Sequence, residues 1–375
     1  MKNWVREKLK IIGELYPGER IAASKRRIAG MWAGRAPADR YPYTFDTLGF
    51  NYYNEVFSKE DGLRAYLDEF IARGAVGDDF IPAFFPGCRQ GTIPGMFGAK
   101  EIVVGRDHTN ERILSRPEDI DSLPYPSIAA GASASGYLEM ERYYLEECEG
   151  ALPVHVCDMQ GPMDAAAQLW GYDNLFLCAY DDEKRFHRLL GLCTEAYCIL
   201  WEAQRDLLGG NFVCTHLFGS SWAPLGNGAT LSADSMAMVS EDFFAEYFQP
   251  HLEAAASRLG MLSVHSCGDF GAVAGALGRL GCVHAVNASQ MTAGELLGAG
   301  WDRGKMIIQM EHIDNAAGVF ALARENGLRM DATFVGLWPA APGGGNAPAQ
   351  SWTPAQAELV AKRALEVGRA AVARM

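Results

Sequence analysis

His265 and Cys267 stand two residues apart at the end of a short apolar run that starts near residue 261. In an extended segment residues i and i+2 face the same side, so this imidazole and this thiol can converge on one point. Imidazole nitrogen and thiolate sulfur are favoured donors for Zn²⁺, which takes three or four such ligands in a tetrahedron. The same pair reads equally well as a core cysteine beside a hydrogen-bonded histidine. A third reading, a Cys267 nucleophile activated by His265, is disfavoured because the strand offers no separate group to orient the imidazole.

Something must hold that strand end and bring other polar groups to it. Short apolar runs alternate with amphipathic helical stretches almost to the C-terminus, with candidate strands at 80–85, 154–158, 212–217, 261–265, 283–287, 306–310 and 332–337. Continuous apolar runs are the mark of parallel strands covered on both faces. Helices are expected at Glu183–Leu208, 241–259 and 315–326. Repeated βα units at this length predict an α/β protein of the (β/α)₈ TIM-barrel type, with residues 1–75 as a mainly helical extension under the barrel and the whole chain, 1–375, as one domain. An open doubly wound sheet is the competitor, weakened because no strand leads into GxGxxG or a P-loop. Seven strands are counted, and the eighth is sought near 101–104.

Barrel enzymes collect their site residues at the C-terminal ends of the strands. Those ends supply Cys157, Asp158 and Gln160; His216, Ser221 and Trp222; His265, Cys267 and Asp269; Asn287 and Gln290; Glu311 and His312; and Thr333. Asp158 reads as a substrate contact or as the cap of the next helix, and Asp234 as a site carboxylate or a cap. Asn287 and Gln290 are candidate hydrogen-bonding partners of a substrate. Trp170, Trp222, Trp338 and Phe85 read as walls of an apolar pocket or as core. The Gly/Pro-rich stretch 341–350 reads as one long loop at the same end.

The chain has 375 residues, 49% hydrophobic and 21% charged, with a formal net charge of −13. The composition is that of a globular protein. The acidic balance argues against nucleic acid as a partner, since phosphate binding needs clustered Lys and Arg. Nine cysteines are scattered without a CxxC motif, which suggests reduced thiols in the cytoplasm rather than a secreted disulfide framework. A charged N-terminus without an apolar core speaks against a signal peptide, and no uncharged stretch of 18 apolar residues predicts a membrane span.

Several segments, in order, resemble the uroporphyrinogen decarboxylase superfamily and within it the corrinoid-dependent methyltransferase and demethylase branch. Arg27-Ile28-Ala29-Gly30-Met31-Trp32-Ala33-Gly34-Arg35, continuing to Asp39-Arg40-Tyr41-Pro42, is similar to the family's opening helix and entry to the barrel. Gly77-Asp78-Asp79-Phe80-Ile81-Pro82 resembles its first strand, and Gln160-Gly161-Pro162-Met163-Asp164 with Leu169-Trp170-Gly171 its "GP" turn and helix. Leu231-Ser232-Ala233-Asp234, then Val239-Ser240-Glu241-Asp242-Phe243-Phe244 and Pro250, resembles the segment before the metal strand. His265-Ser266-Cys267-Gly268 falls where the family's His-x-Cys zinc ligands belong.

The resemblance implies a Zn²⁺ enzyme moving a methyl group between a small methylated substrate or methyl acceptor and a corrinoid. No Asp-x-His-x-x-Gly segment is present, so the corrinoid is expected on a separate partner protein; a homodimer is compatible with the reading. The family's further cysteine ligand from the last strand is missing, since that region reads Asp331-Ala332-Thr333-Phe334-Val335-Gly336. Glu311 is the leading replacement as metal ligand, followed by His312, His216 and Asp269, while Cys282, at the start of a strand, is expected in the core. Asp158, Asp234 and Asn287 are the expected catalytic residues, and Gln160, Ser221, Trp222 and Gln290 the expected substrate contacts. Two alternatives stand beside methyl transfer. One is a metal-free porphyrinogen decarboxylase using Asp78 or Asp79, the other a non-catalytic binding protein on the same fold.

Overall fold

The computed structural model describes residues 1–46, 58–74, 76–87, 89–104, 107–215, 222–224, 226–338 and 352–372. Among the described residues ten short strands are β1 (Tyr43–Phe45), β2 (Glu101–Val104), β3 (Asp107–Asn110), β4 (Val154–His155), β5 (Phe212–Val213), β6 (Ala229–Ser232), β7 (Leu262–Ser266), β8 (Val283–Ala288), β9 (Met306–His312) and β10 (Arg329–Val335). Six form one parallel sheet in the order β1-β10-β9-β8-β7-β6.

The sheet closes on itself through three further links. Gln160, just past β4, bridges to Ser232 at the end of β6, and Val154 of β4 bridges to Phe84, both in parallel. The Asp79 amide, ahead of the 80–84 segment, donates to the Tyr43 carbonyl of β1. With β4 and 80–84 added to the sheet, eight parallel staves complete the circuit, as the alternating pattern predicts. Closure leaves no open edge.

One strand expectation is corrected. The eighth stave does not lie at 101–104, which pairs antiparallel with β3 in a separate hairpin. Of the run at 212–217, whose last two residues lie outside the described ones, β5 pairs with β4 at Phe212 and Val213. The two staves absent from the sequence reading are β1, Tyr-Thr-Phe, and β6, Ala-Thr-Leu-Ser. Both mix small polar residues into the strand because their neighbours line the lumen: the Thr44 hydroxyl lies 3.2 Å from that of Thr333, and the Thr230 hydroxyl donates to the Cys214 carbonyl.

Helices Asn3–Leu15, Gly18–Trp32 and Lys59–Arg73 make up the expected N-terminal extension. Gly18–Trp32 crosses the N-terminal ends of the staves, with the Trp32 ring 4.9 Å from that of His284 on β8. Asp78 and Asp79 are buried at this lower end. Asp79 binds Arg27 at 2.8 Å, Arg40 at 2.5 Å and the Tyr43 amide; Asp78 binds Arg73 at 2.9 Å and the Phe45 amide. Polar interactions at this end of a barrel serve stability. Among the described residues no helix is long and apolar enough to cross a membrane. All eight described cysteines are free.

Candidate metal centre

The upper end of the barrel is built from one row of paired residues. Backbone register sets Gln160 beside Ser232, Ser232 beside His265, and His265 beside Asn287. Strand pairing therefore places the end residues of four neighbouring segments at one level before any side chain is considered. The expected convergence of His265 and Cys267 is observed, with Sγ 3.4 Å from Nε2.

His265 is oriented from behind. Its Nδ1 lies 2.6 Å from Asn287 Oδ1, while Asn287 Nδ2 donates to the Ile308 carbonyl at 2.8 Å. With the amide fixed by that second bond, its oxygen faces the imidazole, so Nδ1 carries the proton and Nε2 is the nitrogen turned toward Cys267. A ligating histidine is held in this way by a partner on its other nitrogen. The sequence reading set aside a cysteine nucleophile for want of an orienting group, and Asn287 is such a group.

A third donor arrives from the turn after β6. One ligand atom each from Asp234, His265 and Cys267 lie within 4.8 Å of one another. Asp234 Oδ1 also accepts the Cys267 amide at 2.7 Å. Asp158 sits beside this group, buried, with Oδ1 taking a 2.7 Å bond from the Ser232 hydroxyl. The Ser289 hydroxyl lies 3.4 Å from Cys267 Sγ.

The electrostatics favour positive charge at His265. Burial lowers the pKa of His265, but the bonded Cys267 thiol and the charges of Asp158 and Asp234 outweigh it and raise the imidazole to about 9. Burial raises the Asp234 carboxyl, against the opposing effects of His265 and the Cys267 amide. Behind it Asp164 is pushed up to about 7, first by burial and then by the charge of Asp234. No Arg or Lys among the described residues pairs with Asp164 or Asp234.

Asp158, Gln160, Asp234, Asn287, His265 and Cys267 are thus brought together. Glu311 lies at the end of β9, with Oε1 taken by the His312 amide and by Asn315 Nδ2. Asp269 accepts the Gly271 amide at the start of the next helix, His312 faces Asp314, and Gln290 is exposed. Cys282 precedes β8 at the far end, as expected, but is half-buried against the core rather than within it. Trp222 is a correction: it lies beside Lys25 of the helix under the barrel, the ammonium 5.3 Å from its ring, because the chain has by then returned to the lower end to start β6. Trp170 and Phe85 are buried core, and Trp338 donates to the Asp46 carbonyl and stacks on Trp352. Asp78 and Asp79, required at the mouth by the decarboxylase alternative, are bound to arginines at the opposite end. Ser221, His216 and residues 341–350 lie outside the described residues.

The residue missed by sequence reasoning is Asp164. Its carboxylate accepts the amides of Asp234, at 2.7 Å, and Ser235, at 2.9 Å, and also the Ser235 hydroxyl. An acid in the first turn of a helix reads as an N-terminal charge partner, which hid this role.

No protein-family model and no curated protein matches the sequence. Among solved structures, a methyltransferase from Methanosarcina mazei superposes with a TM-score of 0.63 at 15% identity, over 92% of this chain and 99% of that one. A B12-independent methionine synthase from Shewanella sp. W3-18-1 reaches 0.45 at 13% identity, over 87% of this chain and 96% of that one. An endo-1,4-beta-mannanase from Rhizomucor miehei reaches 0.41 at 10%, over 89% and 96%. At these identities a likeness carries the fold and not the chemistry, so the chain is an α/β barrel similar in architecture to the Methanosarcina structure.

Proposed function

We propose that the protein is a zinc-dependent methyltransferase of the uroporphyrinogen decarboxylase superfamily, moving a methyl group between a small methylated substrate or acceptor and a corrinoid on a separate protein. The observation that carries this reading is the meeting of Cys267 Sγ, His265 Nε2 and a carboxylate at the mouth of the barrel, a donor set suited to zinc. The fold shared with a solved methyltransferase supports it. Bound zinc supplies Lewis acidity, polarising a substrate oxygen or lowering the pKa of a substrate thiol.

The chain's own residues do the rest. Asn287 keeps the proton on His265 Nδ1 and so leaves Nε2 for the metal. Asp158, fixed by Ser232, is placed to hold or take a proton at the substrate's heteroatom. Gln160 supplies a further polar contact, and Gln290 remains a candidate substrate contact, as does Ser221, which lies outside the described residues.

A second reading draws on one observation, the Cys267–His265–Asn287 series, which has the order of a thiol protease triad. Asp234 argues against it. Its carboxylate occupies the Cys267 amide and would repel both a thiolate and a developing oxyanion.

The test is zinc content by mass spectrometry together with loss of the methyl–cobalt absorbance on incubation with methylcobalamin and a thiol. About one zinc per chain is expected, falling to near zero in His265→Ala and Cys267→Ser. Unchanged metal in those variants sinks the proposal, whereas rapid Cys267 alkylation in a zinc-free active protein would favour the triad.

A further inference from the structure

The zinc reading leaves the third protein ligand open, because no cysteine follows Cys282 in the chain. Asp269 is spent on a helix start, and Glu311 takes two hydrogen bonds away from the site. Asp234 is placed differently. Donors of one Zn²⁺ at bond lengths of about 2.0–2.3 Å lie roughly 3–4 Å apart. Cys267 and His265 already meet that spacing at 3.4 Å, and Asp234 offers a carboxylate oxygen within the same cluster. One of its oxygens holds the Cys267 amide, and the other takes no hydrogen bond from the described residues.

The turn that carries Asp234 is built to stay put. The buried carboxylate of Asp164 binds the amides of Asp234 and Ser235 and the Ser235 hydroxyl. From the strand side, the Ala233 amide donates to the His265 carbonyl at 2.8 Å. From below, the Gly161 amide donates to the Ser232 carbonyl at 2.6 Å. A side chain at 161 would have its Cβ 2.7 Å from that carbonyl oxygen, so only glycine permits the approach. Two carboxylates are thus stacked behind a thiol with no guanidinium or ammonium among their described partners. Among the described residues the His265 imidazole faces this group, and a metal ion held with it would offset the remaining negative charge.

We propose that Asp234 is the third protein ligand of the metal, and that Asp164 is a positioning residue that sets the Asp234 turn. The set is then one imidazole, one thiolate and one carboxylate, with the fourth position open to substrate, as in catalytic zinc sites. This rests on the zinc reading, but metal binding can be read without any methyl transfer.

The experiment loads Co²⁺ into the metal-free full-length protein and follows both the sulfur-to-cobalt charge-transfer band and the d–d bands, with affinity measured by competition against a chelator. Asp234→Asn should lose about 100-fold or more in affinity while keeping the charge-transfer band of Cys267. Asp234→Glu, with a longer carboxylate, should fall between. Asp164→Asn should lose about 10- to 100-fold, the range for residues that orient ligands, and shift the d–d bands at unchanged charge-transfer intensity. Simple destabilisation would not produce that spectral pattern, and the melting temperature of the metal-free variants separates the two effects. Glu311→Gln should bind as the parent does. Parental affinity and spectrum in Asp234→Asn, or loss of metal in Glu311→Gln instead, overturns the assignment while leaving the zinc reading intact. A parent protein that takes up neither Co²⁺ nor Zn²⁺ overturns both.

Discussion

The two ends of the barrel bury acids in opposite ways. At the lower end Asp78 and Asp79 are each matched by guanidinium groups and backbone amides, so their charge is cancelled inside the fold. At the upper end Asp164 and Asp234 meet amides, hydroxyls, a thiol and an imidazole, but no described Arg or Lys. The histidines follow the same division. His284, near the lower end, is pushed down to about 4 by burial and by Lys305, whereas His265 is raised to about 9. The lower end is neutralised by arginines, whereas at the upper end the His265 imidazole is the positive partner of its acids, with no described Arg or Lys beside it.

That contrast breaks if the lower end proves functional or the upper end structural. The largest effect is expected at the mouth, where His265→Ala or Cys267→Ser should empty the metal site, read as zinc per chain, with the metal-free melting temperature little changed. Asp79→Ala should do the reverse. It leaves Arg27 and Arg40 without their shared partner and should cost about 3–5 kcal/mol in denaturant unfolding, with zinc content retained. Asn287→Leu removes the orienting bond to His265 together with the bond to the Ile308 carbonyl, and should weaken zinc binding about 10- to 100-fold.

A smaller effect concerns pH. The folded pKa of His284 lies below its unfolded value near 6.5, so its neutral form contributes stability that is fully present above pH 6.5 and is lost as pH falls through about 4. His284→Gln should therefore flatten the acid limb of stability by on the order of 1–2 kcal/mol between pH 6.5 and 4. An unchanged slope would mean that the lower-end histidine does not titrate as its burial demands. The smallest change is expected for exposed Gln290→Ala, within about 0.5 kcal/mol and with unchanged zinc, unless Gln290 contacts substrate, in which case KM alone should rise.

The barrel was legible because most staves are covered on both faces and read as unbroken apolar runs. The pairing of His265 with Cys267 was legible because an i, i+2 spacing in a strand fixes direction through backbone geometry alone. Asn287 and Asp158 were found as strand ends. The staves β1 and β6 were not, because lumen-facing Thr44, Thr230 and Ser232 interrupt the apolar pattern that marks a strand.

What the sequence by itself determined, then, is the alternation of elements and the local direction of a His-x-Cys pair. Only the tertiary structure decided which acid joins them. Asp164, Asp234 and Cys267 are separated by 70 and 33 positions and meet through hydrogen bonds that close across neighbouring staves. Trp222 went to the opposite end for the same reason, since its place depends on where the chain must return to begin β6. Local pattern sets which way a residue faces along its own strand, and the circuit of strand pairing sets what it faces.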